Sequence, residues 1–197
     1  MLEQRIQQHF IDSADLKYQA AQTLSHPIAA AVQAVLACVT SGGKVLACGN
    51  GPSAAEAQQF AAFCVAGFER ERPELAALAL ATDGTLMAAG SNDAVQQIAR
   101  QVRALGQAGD VLLALSVTGN DANVLAATEA AHERDMTVVV LTGRTGGKLA
   151  PMLRETDVLI SVPHDRAARV REVHGLVLHC LSDGVDTQLL GEQESPI

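Results

Sequence analysis

Basic side chains are in short supply: fourteen lysines and arginines stand against twenty-two acidic residues, leaving a net charge of −8. A chain of that sign repels phosphate backbones, so direct nucleic-acid binding is not expected and a protein partner with a basic surface is easier to accommodate. Cysteine is sparse, and Cys38, Cys48, Cys64 and Cys180 are scattered through apolar surroundings with no C-x-x-C pair. Buried thiols in a reducing compartment are the expectation, in place of a disulfide framework or a Cys-rich metal site. No Pro-, Gly- or Ser-rich tract interrupts the 197 residues, which excludes a linker and leaves one domain over 1–197, fraying only at 191–197. The amino terminus lacks a basic segment followed by an apolar run, and eighteen consecutive apolar residues occur nowhere. Neither a signal peptide nor a membrane span is expected, and the chain reads as cytoplasmic.

What is present has two grammars. Over 3–23, Ile6, Phe10, Ala14, Tyr18, Ala21 and Leu24 recur at steps of three and four, the spacing of one helical face. Ile28, Val32, Val35, Leu36 and Val39 suggest a second helix stopped by Gly42 and Gly43. These two helices form an extension over 1–42. From 43 onward, five short apolar runs, "KVLAC", "ALALA", "DVLLALS", "MTVVVLT" and "DVLISV", alternate with helix-like segments at 53–67, 94–106 and 122–134 and a shorter piece at 147–153. That alternation predicts an α/β core with a five-stranded parallel sheet buried on both faces, closed by a helix from about Ala168 to Leu190. Val170, Val173, Val177, Leu181 and Val185 are its expected core stripe, with Glu172, Leu176, His179, Asp183 and Asp186 on a more polar one.

Ligands of such sheets bind beyond the carboxyl ends of the strands. Three predicted ends carry suggestive residues: "CGNGPS" (48–53), "ATDG" (81–84) and "SVTGND" (116–121). The first and third share a plan, a small turn with hydroxyls that opens a helix, which suits an anionic phosphate. Gly49-Asn50-Gly51 followed by Ala54 also fits G-x-G-x-x-A, but no acidic residue stands about twenty positions on and Pro52 interrupts the turn, so a dinucleotide site is disfavoured. The run "FERERPEL" (68–75) reads as a solvated loop. His174, between apolar positions, is expected to pack at a helix interface, and Glu172 to form an ion pair or subunit contact more readily than an acid–base pair with His179.

The blocks "CGNGPSAAEAQQFAA", "LATDGTLMAAGSND", "RQVRALGQAGDVLLALSVTGNDANVLAATEAAHERDMTVVVLTGRTGGKLA" and "RAARVREVHGLVLHCLSDGVD" resemble, in unbroken order, the sugar isomerase (SIS) domain proteins of the phosphoheptose isomerase group. The resemblance implies a flavodoxin-like fold and a homotetramer with the amino-terminal helix at subunit contacts. It offers two branches, sedoheptulose 7-phosphate isomerases and DnaA initiator-associating proteins. "FERERPEL", "QVRALGQAGDVLLA" and "LLGEQ" are similar to the second.

The resemblance also implies where chemistry would sit. The isomerases carry a His and a Glu at the positions of Gln59 and Phe63, and a Gln and a His at those of Arg171 and His179; in some of them the four hold a metal. Only His179 matches, as a residual catalytic group, and an aromatic ring at 63 neither takes nor gives a proton. The fixed charge of Arg171 repels a divalent cation, so no metal and no cofactor are expected. The isomerase turn S-T-S-G-N-S reads Ser116-Val117-Thr118-Gly119-Asn120-Asp121 here, and Asp121 is expected to turn outward as a helix cap. Asn50, Gly51, Ser53, Asp93, Ser116, Thr118 and Asn120 are the candidate phosphate- and sugar-binding residues. The leading expectation is a non-catalytic tetrameric scaffold that binds the replication initiator DnaA. The alternative is a sedoheptulose 7-phosphate isomerase with a shifted set of groups such as His179, Glu172 and Asp93. A sugar-phosphate sensor that binds without converting is the third.

Overall fold

The structure, a computed structural model, describes residues 1–80 and 93–192. The "ATDG" turn at 81–84 lies outside the described residues.

The five apolar runs form β1 (Val45–Gly49), β2 (Ala77–Ala79), β3 (Val111–Ser116), β4 (Thr137–Gly143) and β5 (Val158–Val162). They make one sheet in the order β2-β1-β3-β4-β5, with every neighbouring pair parallel, which is the flavodoxin-like order. Residues of β1, β3 and β4 are buried almost without exception because helices cover both faces, hence their continuous rather than alternating apolar runs. Along β3, Val111, Leu113 and Leu115 point into one core while Leu112 and Ala114 point into another. The first core is closed by α1 (Leu2–Thr40), α2 (Pro52–Ala66) and α5 (Ala167–Leu190), the second by α3 (Gln96–Leu105) and α4 (Ala122–Glu133). A 3₁₀ turn, Ala150–Met152, replaces a helix before β5. The chain leaves β1 toward β2 on one side and then crosses to β3 on the other, so the direction of winding reverses between β1 and β3. A crevice opens there, beyond the strand ends.

The amino-terminal extension differs from expectation: it is one helix of 39 residues with Pro27 inside it. A proline in a helix interior removes one backbone hydrogen bond and costs about 3 kcal/mol. Here the buried stripe runs straight through the site, with Leu16, Ala20 and Leu24 before it and Ala31, Val35 and Cys38 after it, and Ile28 packed between. Continuous burial on both sides holds the helix together. The stripe also differs from the predicted one, since Ile6, Phe10 and Tyr18 face solvent while Leu16 and Ala20 face the core. By length and composition α1 is apolar enough to cross a membrane, yet its carboxyl-terminal half lines the sheet. Gly184 of α5 lets it approach closely, because a Cβ there would lie 2.7 Å from Val32 Cγ2.

Cys38, Cys48 and Cys64 are buried as expected, and burial pushes the thiols of Cys48 and Cys64 up to about 12. Cys180 is exposed, against expectation, because it sits at the open rim of a shallow groove between α1 and α5, beside Val173, Leu176 and Val177.

At the amino edge of the sheet, Asp110 is 2 % exposed and fully engaged. It accepts the Lys44 ammonium at 2.6 Å, the Lys44 backbone N–H at 2.9 Å and the Gln107 N–H at 2.9 Å, fastening the entry of β1 to that of β3. Asp110→Ala removes all three acceptor contacts and should lower unfolding free energy by about 3 kcal/mol in chemical denaturation.

Candidate active site at the ends of the first and third strands

After β1 the chain turns through Asn50 and Gly51 into α2, with Pro52 in the first helical turn, where its missing N–H is no loss. The turn is tight: a Cβ on Gly49 would lie 2.7 Å from Ser53 O. After β3 the chain turns through Thr118 and Gly119 into α4. Gly119 sits at φ +67° with its Cα face against the Gly146–Gly147 backbone, so a side chain fits neither the angle nor the space.

Asp121 stands at the amino cap of α4 but does not cap it with its side chain, contrary to the expected outward orientation. Its carboxylate turns inward, accepting from Ser116 Oγ and from Asn50 Nδ2 at 3.1 Å. Asn50 and Asn123 complete the junction with two amide hydrogen bonds of 2.8 and 2.7 Å. The two turns are thereby joined, and Ser116 is occupied: it donates to Asp121 and accepts the Gly119 N–H at 3.0 Å. Asn120 is likewise committed, to Thr118 O and to the Lys148 N–H. Asp93 accepts the Val95 N–H at 3.1 Å in the turn before α3 and does not line this crevice.

The crevice between the turns is a cleft of about 170 Å³ lined by Asn50, Pro52, Ser53, Leu115, Val117, Thr118, Asp121 and Arg171. Of the predicted binding residues, Asn50, Ser53 and Thr118 come together here, while Ser116 supports the floor through Asp121. Sites that enclose a whole small molecule run to roughly 300–1,000 Å³, so the described residues enclose only part of a ligand of that size. Two helix amino termini, those of α2 and α4, face the cleft and favour an anion.

Two further charged groups stand at the cleft, Arg171 in its lining and Glu56 beside it. Among the described residues Arg171 makes no hydrogen bond or ion pair. Glu56, one turn along α2 from Ser53, has a carboxylate oxygen Oε2 that is buried without a hydrogen-bond partner. Burial raises its pKa above the usual carboxylate range; a bond from Ser53 and the charge of Arg171 oppose the rise without cancelling it. Glu56 was not among the predicted residues. Its signal was present in "PSAAE", which puts a carboxylate three residues past a cleft-lining serine and so on the same helix face.

His179 lies outside the cleft lining. It stands eight residues from Arg171, about 12 Å along α5, against Phe63 and Phe68 with ring centroids 5.7 and 5.3 Å away. The four positions Gln59, Phe63, Arg171 and His179 do not make a metal site, since a ring and a guanidinium replace two donors. Among the described residues no three His, Cys, Asp or Glu side chains converge to hold a metal. Glu172 is bound to Arg169 at 2.7 Å and to Ser13 Oγ at 2.7 Å, and does not meet His179. The "FERERPEL" segment is not simply solvated: the Arg72 side chain is 2 % exposed, pairs with Asp186 of α5, and donates to Phe63 O and Cys64 O at the end of α2.

The sequence profile described as the SIS domain matches residues 8–143. A phosphoheptose isomerase from Methylibium petroleiphilum is 65 % identical over 198 residues, covering 98 % of each chain. This chain belongs to the SIS domain family, in the phosphoheptose isomerase group. Solved SIS structures agree: the phosphoheptose isomerase of Neisseria gonorrhoeae superposes with a TM-score of 0.88 at 48 % identity, covering 95 % of this chain and all of its own. That of Francisella tularensis superposes with a TM-score of 0.90 at 40 % identity, covering 95 % and 99 %. These findings overturn the expectation of a non-catalytic DnaA-binding scaffold, because chains alike over their whole length carry the enzyme's name. That expectation leaned on Phe63 and Gln59 as proof of lost chemistry. A missing base at one position does not exclude a carboxylate at another.

His174 is fully buried in this SIS domain, as predicted, with its Nε2–H donating to Thr142 O at 3.1 Å, which leaves Nδ1 unprotonated and without a partner. Burial, aided by Arg171 and opposed by the Thr142 bond, pulls its pKa down to about 4. The unfolded chain therefore takes up a proton as pH falls below about 6.5 while the folded chain resists until about 4. Stability should be full above that window and fall by roughly 2 kcal/mol between pH 7 and pH 5. His174→Gln, which keeps a donor for Thr142, should flatten that part of the pH–stability curve.

Proposed function

We propose that this protein binds a phosphorylated sugar in the cleft between the β1 and β3 turns and interconverts its ketose and aldose forms, with sedoheptulose 7-phosphate as substrate. The observation that carries the reading is the cleft itself: hydroxyls of Ser53 and Thr118, two helix amino termini and an unpaired guanidinium converge at the reversal point of the sheet. The acidic Asp121 does not spoil it, because Ser116 and Asn50 draw its charge into the floor. The names of relatives that match from end to end support the same substrate. Incubation of purified protein with sedoheptulose 7-phosphate, followed by aldose-specific detection, should show turnover. Arg171→Ala should lower kcat/KM about tenfold or more, as expected for loss of a charge-assisted contact to an anionic oxygen of the ligand. Ligand-induced stabilisation without any turnover would favour the sensor reading instead.

We also infer a homotetramer built through the amino-terminal helix. Ile6, Phe10, Ile11 and Tyr18 are exposed on α1, a cluster of large apolar groups of the kind that marks subunit contacts. Light scattering should give the mass of four chains, and Phe10→Glu with Tyr18→Glu should reduce it.

A further inference from the structure

We propose that Glu56 and Arg171 form the reacting pair of this protein: the Glu56 carboxylate carries the proton between the sugar carbons and the Arg171 guanidinium neutralises the oxyanion. The proposal rests on the reading of the cleft as a sugar-phosphate site and names the groups that act there. Glu56 shares a helix face with Gln59 and Phe63, at steps of three and seven residues, so a carboxylate at 56 occupies the same side of α2 as those positions, about one turn nearer the strand end than Gln59 and two turns nearer than Phe63.

Three observations point to it. Ser53, which Glu56 contacts, and Arg171, whose charge it feels, both line the cleft. Oε2 is buried with no hydrogen-bond partner, as is Oδ2 of Asp186, but Asp186 is held by the Arg72 guanidinium whereas among the described residues no cation binds Glu56. The carboxylate that lines the cleft, Asp121, is engaged by Ser116 and Asn50, and Glu172, next to Arg171, is engaged by Arg169 and Ser13. Arg171 is the complementary case, a cation with no bound anion among the described residues.

The step balances without any co-reactant. Glu56 takes a proton from C1 of the ketose; the released pair becomes the C1–C2 double bond, and the C2 carbonyl π pair moves to O2, where Arg171 offsets the charge. A proton passes from O1 to O2. The O1 pair then forms the C1 carbonyl, the double-bond pair takes the proton back from Glu56 at C2, and the aldose results. A carboxylate with a raised pKa is a stronger base than an exposed one and still gives up its proton.

The test follows deuterium from heavy water into C1 and C2 of sedoheptulose 7-phosphate by NMR, alongside binding by thermal shift. Wild type should bind and exchange. Glu56→Gln should bind with similar affinity and lose at least about 10²-fold in exchange and in kcat. It should also melt no lower than wild type at neutral pH, since it removes a buried charge rather than a bond. A merely structural Glu56 would give a lower melting temperature with kcat intact. Arg171→Lys should retain more exchange than Arg171→Gln. Exchange by Glu56→Gln at the wild-type rate overturns the assignment, as does binding by wild type with no exchange. Absence of binding by wild type overturns the sugar-phosphate reading, and this pair with it.

Discussion

An inward-turned carboxylate organises the site. Asp121 sits where a phosphate-binding turn would be expected to offer a hydroxyl, and a free negative charge there would repel the ligand. Ser116 and Asn50 hold it instead, and the Asn50–Asn123 amide pair closes the junction. Because Asn50 follows β1 and Asp121 follows β3, this small network fixes the separation of two loops that belong to different crossovers. Buried polar groups of this kind stabilise only when every member is satisfied, and here each bond also shapes the cleft wall. Gly119 and Gly147, packed backbone to backbone, supply the outer support.

The fold was legible in the residues because its physics is periodic. Strands covered on both faces by helices must be continuously apolar, so "DVLLALS" and "MTVVVLT" announced β3 and β4 with nearly correct bounds. The reversal between β1 and β3 could not be read from any single strand, but the two hydroxyl-bearing turns lie on either side of it. The failures are local. Two apolar stripes, one ending at Leu24 and one starting at Ile28, suggested two helices, although the buried stripe from Leu16 to Cys38 runs on through Pro27, and burial along a whole helix outweighs one lost hydrogen bond. Arg72 looked like one charge in an exposed run, yet its partner, Asp186, is 114 residues away, beyond the reach of local pattern.

The site was legible in outline and misread in its chemistry. Asn50, Ser53 and Thr118 meet as the turns suggested, while Ser116 acts one layer below and Asp93 caps a turn elsewhere. Function was misjudged because attention fixed on the ring at 63 and the amide at 59. A carboxylate can also be supplied from another turn of the same helix, the role proposed for Glu56. Arg171, read at first only as a lost ligand, is better understood as a charge the cleft lacks any other way to provide.

Arg72 ties the last carbonyls of α2 to Asp186 near the end of α5, so the two helices that carry Glu56 and Arg171 are fastened to one another at their far ends. Arg171 lies fifteen residues from that fastening, a lever arm of about 22 Å. A swing of about 5° around the tether displaces the guanidinium by about 2 Å, enough to make or break contact with a bound anion. The gap between the two charges at one end of the helix pair is thus sensitive to how firmly a buried arginine grips the other.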